Sequence, residues 1–467
     1  MSKFLWKGEQ VIGIINGHGP SDWSASGVSI DTRTLKKGDI FFALAGPNYD
    51  GHQFISSAIK KGASIVISNA PSLAFKDKVI IVSDVFNALI SLGRFSRKRN
   101  KGKIIAITGS SGKTTVKEML ALSLSKSGKI HYSEASYNNK IGVSLSLSRM
   151  PIDSDFSIFE LGMNNAGEIS YLSNLVEPHI ALINNTGNAH IGNLNSKKEI
   201  EKAKMEIVSG ITSNGKLIIN ENISLSSYPK KLFENKNLKI LKFGYKKNSN
   251  FILEKYLYSS GLSLIDATIN RANISYSLKA PGSHMAMNSI AVIGVCFLLG
   301  VSPDVSKQTI SNFESMDGRG KIHDLSIMGK KIEVIDESYN ANPESTKSSI
   351  NLLSEIDFLK SKRKILVFGD MLELGNFSKE MHIDIASFIN ESDVDLVFCI
   401  GSEIKNLWDN LILSKRGYHS IDPEILISSL KNKLKENDLI LIKGSSKSGI
   451  KIIFNALMDE QLNRNIA

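Results

Sequence analysis

Residues 103–124 read KIIAITGSSGKTTVKEMLALSL: an apolar run, a glycine-rich turn and a helical stretch in immediate succession. A strand that feeds TGSSGKTT at 108–115 and opens directly into a helix is a cradle for phosphate. Gly109 and Gly112 give the backbone freedom to bring N–H groups up to an anion, and Ser110, Ser111 and Thr115 complete the loop. Lys113 adds charge, and Thr114 supplies a hydroxyl suited to magnesium. The longer pattern G-x-x-x-x-G-K-[ST] is not met, because Ile107 stands where its first glycine would be. A chance glycine turn at a strand–helix junction is the competing reading, and it leaves the lysine and both threonines unexplained.

Outward from this stretch the same rhythm repeats. DFSIFEL (155–161), HIALINN (179–185) and GKLIIN (215–220) are short apolar runs separated by helical ones, the signature of a parallel sheet. Upstream, GDIFFAL, GHQFISSAIKKG and ASIVIS form a smaller α/β unit that ends near the basic RFSRKRNKGK. After GSHMAMNSIAVIGVCFLLG and the turn MDGRGK the alternation restarts with KIEVID, KRKILVFGD, VDLVFCIG and DLILIKG. The fold class is therefore α/β, with a central P-loop domain at 101–315 between an N-terminal domain at 1–100 and a Rossmann-like C-terminal domain at 316–467. A chain of 467 residues is too long for one ordinary core. In the helix of SKEMHIDIASFIN, Ser378 is the expected N-cap, and Met381, Ile385, Phe388 and Ile389 the inward face.

Composition narrows the function. With 42% hydrophobic and 22% charged residues the chain reads as globular, and its longest apolar stretch, 290–301, is short of the ~20 residues of a membrane span. No membrane insertion and a cytoplasmic location are expected. The net charge of +11 invites a nucleic-acid reading, but the lysines are dispersed among glutamates without an arginine–aromatic stripe. Small substrates carrying several phosphates suit that charge better. Cys296 and Cys399 each sit inside an apolar element and make neither a disulfide framework nor a thiolate zinc site.

Three further side chains can do chemistry. Glu160 shares a strand face with Phe156 and Ile158 and ends that strand, where ligands bind in open α/β sheets. It is either a solvated terminus or, beside the phosphate loop, a magnesium ligand. In SKKEIEKAKMEIVSG, Ser196 and Glu199 have capping-box spacing, and Lys204 falls within the stripe of Ile200, Ala203, Ile207 and Val208. An inward lysine either reaches out to an acid such as Glu201 or stays neutral and reacts with carbon dioxide, giving a carbamate ligand for a second metal. His190 in NNTGNAHIGN follows a strand of the same sheet and is either a surface histidine or a third group around that metal. Zinc chemistry lacks its H-E-x-x-H or paired Cys/His spacing.

Taken together, DTRTLKKGDIFFAL, DGHQF, TGSSGKTTVKEM, NNKIGVSL, ELGMNNAGEI, NNTGNAH, AKMEI, DESYNANPES and GDMLELG resemble the ATP-dependent Mur ligases of cell-wall synthesis over nearly the whole chain. YNANP and GDMLELG are most similar to the branch that joins D-alanyl-D-alanine to a UDP-muramoyl-tripeptide, and the DNPR-type motif of the neighbouring branch is missing. The resemblance implies that residues 109–115 hold the phosphates of ATP, with Thr114 and Glu160 on one magnesium and Glu160, His190 and carbamylated Lys204 on a second. It implies adenine contacts from Asn288 and Asn340, ribose contact from Asp336, and phosphate contact from Arg319. Thr32 and Arg33 would hold the UDP-sugar in the first domain, and Asn138 and Asn139 the sugar-peptide. The implied catalytic set is Lys113, Glu160, His190, Lys204 and Arg319, in a monomer whose partners are small-molecule substrates. DES at 336–338 and KGSSKSGIKI at 443–452 depart from the family pattern, so the latter turn receives no role. The competing functions are a sister amide ligase and a P-loop switch. A GTPase switch wants N-K-x-D, and NKIG at 139–142 lacks the aspartate.

Overall fold

The computed structural model describes residues 4–46, 49–71, 73–225, 230–356 and 361–466. Three larger sheets, besides two two-stranded ones, divide the described residues. The first has four parallel strands in the order Gly27–Ser29, Asp39–Phe42, Ile65–Ser68, Val79–Ile81, with helices Ile55–Lys60 and Val85–Arg99 against it. Asp84 starts the latter helix by accepting from Asn87 N–H at 2.7 Å. That helix also packs on helix Lys140–Ser148 of the next unit, and Leu145 joins the first unit's apolar core. Trp6 Nε1 donates to Ser148 O at 3.0 Å and Arg97 Nε to Val176 O at 2.7 Å, so the two units are tied by buried polar contacts as well as packing.

The central sheet has nine strands. Its parallel part runs Ile130–Tyr132, Phe156–Glu160, Lys103–Thr108, Ile180–Ile183, Lys216–Asn220, Lys239–Gly244, with the phosphate-loop strand inside the sheet. Phe251–Ser259 then pairs parallel, and Leu262–Ile269 and Ala272–Leu278 continue antiparallel. These last strands escaped the reading of a purely parallel sheet. Their signal is local: Ser260–Gly261 and Asn270–Arg271 all have positive φ (52°, 78°, 47° and 74°), which makes two-residue hairpin turns of the kind that match strand twist.

The third sheet has six strands in the order Lys321–Ile327, Lys330–Glu337, Asp438–Lys443, Lys364–Gly369, Leu396–Ile400, Arg416–Ser420; only its first pair is antiparallel. Helix Ser378–Glu391 differs from expectation at its start. Phe377 holds the N-cap place without a side-chain bond, and Ser378 Oγ donates instead to Glu403 at 2.8 Å. Ile385 and Ile389 are buried as expected, joined by His382, while Met381 and Phe388 are only partly buried. No helix among the described residues is long and apolar enough to cross a membrane. Both cysteines are buried, and burial pushes the Cys296 thiol up to about 12, so neither is a thiolate.

Candidate active site

The C-terminal edges of the central and third sheets face each other across a cavity of about 430 Å³, within the size range of small-ligand sites. On the central side Gly112, at φ 76°, precedes helix Lys113–Leu124. A Cβ there would come within 2.6 Å of Asn184 Nδ2, so only glycine fits the approach of loop to loop. The loop is held from outside. Ser111 N–H donates to Asn185 Oδ1 (2.9 Å), Gly187 N–H to Ser110 Oγ (2.8 Å), and Asn184 Nδ2 to Ser111 O and to Asn288 Oδ1 (3.2 and 2.9 Å). Asn184 thereby links the phosphate loop to the helix Ser283–Leu298 that carries Asn288.

Glu160 is 2% exposed and forms no ion pair among the described residues. Its Oε2 accepts from Thr114 Oγ1 at 2.9 Å and its Oε1 from Asn138 Nδ2 at 2.8 Å, while Ser136 Oγ lies 3.1 Å from the threonine hydroxyl. A buried carboxylate bonded to one hydroxyl, itself beside a second, and in no ion pair among the described residues is a donor set that fits a hard divalent ion. No cluster of three or more His, Cys, Asp or Glu side chains placed for a metal occurs among the described residues, so this set depends on hydroxyls and on what ligands bring.

Lys113 Nζ folds back on Gly109 O at 2.8 Å. Burial holds its ammonium below the usual lysine range, Glu160 opposing and Arg319 reinforcing the effect. Lys204 is 2% exposed in helix Lys197–Met205, which Ser196 caps through Glu199 N–H at 3.2 Å as the sequence suggests. Burial drives its pKa well below the ordinary value, and the charge of Lys113 adds to that. Its amine makes no ion pair among the described residues. Glu201, the partner considered from sequence, accepts from Thr186 instead. Lys204 is not among the residues that line the cavity.

The third sheet supplies the facing wall. Arg319 lines the cavity and stacks on Tyr339 at 3.9 Å, and Tyr339 Oη donates to Ser136 at 3.2 Å. Asp336 is 2% exposed and stands behind this turn, accepting from Gly318 N–H (2.7 Å), Ser338 N–H (3.0 Å) and Ser338 Oγ (2.6 Å). Its observed work is to hold the arginine's turn, and it does not line the cavity. Asn340 does, next to Lys443, whose ammonium contacts Asn340 O at 3.1 Å and Glu337 at 3.3 Å. His190 lines the cavity at φ 64° with Nδ1 2.8 Å from Glu373 Oε2, a close contact poorly angled for a hydrogen bond. The imidazole holds the Glu373 carboxyl below its usual range.

The structure does not bring the remaining candidates to this cavity. Arg33 is highly exposed on the first unit and folds onto Asp31 with Nη2–Oδ2 at 2.6 Å, while Thr32 O accepts from Lys61 at 2.7 Å. Asn139 caps helix Lys140–Ser148 through Gly142 N–H at 2.9 Å. Ser136, Asn184, Asn185, Tyr339, Glu344, Glu373 and Lys443 were not singled out from sequence, although each lies in or beside a quoted motif or the loop 133–138.

A glycine-rich loop at a strand–helix junction, a buried acid beside its threonine, and an arginine delivered from a second sheet define a P-loop nucleotide-binding protein with a composite site. Three family descriptions match in succession: "Mur ligase family, catalytic domain" at residues 24–94, "Mur ligase middle domain" at 107–296, and "Mur ligase, glutamate ligase domain" at 318–446. The chain belongs to the Mur ligase family. It is 34% identical to the UDP-N-acetylmuramoyl-tripeptide--D-alanyl-D-alanine ligase of Rickettsia prowazekii over 91% of this chain and 93% of that one. The enzyme of the same name from Escherichia coli is 30% identical over 96% and 98%. A crystal structure of MurF from Acinetobacter baumannii superposes with a TM-score of 0.84 at 26% identity, covering 98% of this chain and all of the other.

Proposed function

We propose that this protein is the ligase that joins D-alanyl-D-alanine to UDP-N-acetylmuramoyl-tripeptide at the expense of ATP, giving the pentapeptide precursor of peptidoglycan. The observation that carries the reading is the composite cavity: a phosphate loop on one wall and Arg319 on the other. Full-length similarity to enzymes of that name supports the same substrates. In this reading residues 1–100 bind the UDP-sugar through Thr32 and Arg33, 101–315 bind ATP, and 316–467 receive the dipeptide. Since ATP and UDP-linked substrates are made in the cytoplasm, the enzyme works there.

The chemistry follows from the side chains. Residues 109–115 hold the phosphates, Asn288 and Asn340 flank the base, and Asp336 keeps the turn of Arg319 in place near the ribose. Thr114, Glu160, His190 and N-carboxylated Lys204 would hold magnesium, which neutralises phosphate charge and polarises the transferring group. A neutral buried amine is what carbamate formation requires, and the lowered pKa of Lys204 supports it. Lys113 and Arg319 stabilise charge on the transferring phosphoryl group as the tripeptide carboxylate attacks it, giving an acyl phosphate and ADP. The dipeptide ammonium gives one proton to solvent, the neutral amine attacks the acyl carbon, phosphate leaves with the bonding electrons, and the nitrogen loses its second proton to give the amide. Asn138, fixed on Glu160, and Asn139 orient the peptide. Packing of the third unit on the central one keeps water from the acyl phosphate.

The test is ADP release by the purified protein with each substrate omitted in turn. Turnover should need tripeptide and D-alanyl-D-alanine together, with ADP, phosphate and pentapeptide in equal amounts. Turnover with lysine or diaminopimelate on a UDP-muramoyl-dipeptide would overturn the assignment within the family.

A further inference from the structure

Three acids line the cavity, and two are engaged. Glu160 has both oxygens on Thr114 and Asn138 at the phosphate loop, and Glu337 sits 3.3 Å from the ammonium of Lys443. Glu344 is different. Its Oε2 accepts from Asn188 N–H at 2.9 Å, but no cation pairs with it and no donor reaches Oε1 among the described residues. It stands in the first turn of helix Pro343–Ile356 and is half-buried, so the third unit fixes its place. The loop it touches belongs to the central unit and is bonded to the phosphate cradle through Gly187 N–H and Ser110 Oγ at 2.8 Å. A Cβ on Gly187 would come within 2.6 Å of the Glu344 carboxyl carbon, so the carboxylate lies flat against that loop.

A carboxylate without a counter-cation in a cavity built for a polyphosphate and a second carboxylate repels both of those ligands. Of the substrates in the proposed reaction, two carry an ammonium, the dipeptide at its α-amine, with an ordinary pKa of about 7.7–8.0, and the tripeptide on the side chain of its lysine or diaminopimelate; only the first has to lie beside the carboxylate that ATP activates. We propose that Glu344 docks the ammonium of the incoming D-alanyl-D-alanine and thereby selects for a free amine beside the acyl phosphate. The proposal rests on the ligase reading given above. Oε1 accepts from the ammonium while Oε2 stays on Asn188, so the amine is registered against the loop that grips the phosphate cradle.

The deciding variant is Glu344→Gln, whose amide oxygen can still accept from Asn188 N–H at the same volume. Its KM for D-alanyl-D-alanine should rise about tenfold or more while the KM values for ATP and UDP-muramoyl-tripeptide stay within about twofold. Propionyl-D-alanine, the same dipeptide without its amine, should inhibit variant and wild type equally, and Glu344→Asp should recover part of the dipeptide affinity. An unchanged dipeptide KM overturns the proposal. So does a parallel loss for all three substrates, which would make Glu344 a contact between units, or a raised magnesium requirement, which would make it a metal ligand. If the wild type itself shows no dipeptide-dependent ADP release, the ligase reading fails and takes this proposal with it. A normal wild type with an unaltered variant refutes Glu344 alone.

Discussion

Lys204 shows what one side chain can announce. Its place in the stripe of Ile200, Ala203, Ile207 and Val208 is readable from 3.6-residue periodicity, and the structure buries it to 2% exposure with no ion pair among the described residues. The alternative, a pair with Glu201, needed that acid to turn inward, and Thr186 holds it instead. A buried ammonium without a partner is costly, so the group is uncharged or modified. Lys204→Ala should therefore lower ligation by about a hundredfold or more, as loss of a group that positions charge in a site does. Short carboxylates added to the buffer should restore part of the rate. Near-normal turnover of Lys204→Ala in a steady-state assay would remove the lysine from the mechanism. Glu160 was equally legible, because an acid breaking the apolar face of a strand at its ligand end is a local pattern. Glu344 and Glu373 were not: they meet Asn188 and His190 from more than 150 residues away, and only the packing of one unit on another creates those contacts.

At the level of elements, the strands that alternate with helices were readable and the irregular additions were not. Strand Arg416–Ser420 is mostly partly exposed and polar, so it lacks the apolar run that betrays its neighbours. The strands Phe251–Ser259, Leu262–Ile269 and Ala272–Leu278 have no helices between them, and the turns at Ser260–Gly261 and Asn270–Arg271 that join them take positive φ. The short edge strand Ile130–Tyr132 carries a different kind of information. Its His131 places Nε2 2.8 Å from Ser146 O, where the imidazole N–H donates, and its ring lies 5.9 Å from that of Phe159. Burial lowers its pKa from the ordinary 6.5 to about 4. The folded state thus keeps the imidazole neutral while the unfolded chain binds a proton below pH 6.5, so unfolding is favoured as pH falls. Stability from this group should be complete above about pH 6.5 and disappear progressively toward pH 4, a change on the order of 3 kcal/mol. Chemical denaturation of wild type and His131→Asn across that range checks it. The variant's curve should be flatter by that amount, and identical slopes would assign the pH dependence to other groups, His179 first among them because burial also lowers its pKa to about 4.

For the whole molecule, the decisive relation is between the central and third units. One apolar cluster runs from Leu161, Ile191 and Leu194 on the central side to Met371 and Leu374 on the other, so the contact is partly a shared core. Polar links reinforce it: Glu355 accepts from Ser283 N–H and Oγ at 2.8 and 2.7 Å, at the start of the helix that bears Asn288. A second close approach, after Gly187 on Glu344, is backbone to backbone. Gly192 N–H donates to Glu373 O at 3.2 Å, and a Cβ on Gly192 would meet Gly375 N at 2.7 Å and Glu373 O at 2.9 Å. Neither atom is the end of a flexible side chain, so Gly192→Ala cannot keep this arrangement. The expected result is a third unit held slightly off the central one, with Arg319 and Glu344 withdrawn from the phosphate loop together. Because those contacts matter most where charge develops and water must be excluded, kcat should fall by about tenfold or more while ATP binding to residues 109–115 changes little. Thermal unfolding should move only modestly, since each unit also has an apolar cluster of its own besides the shared one. Small-angle scattering would report a larger radius of gyration for the variant, and an unchanged rate with an unchanged radius would show that the contact at Gly192 is not what assembles the site.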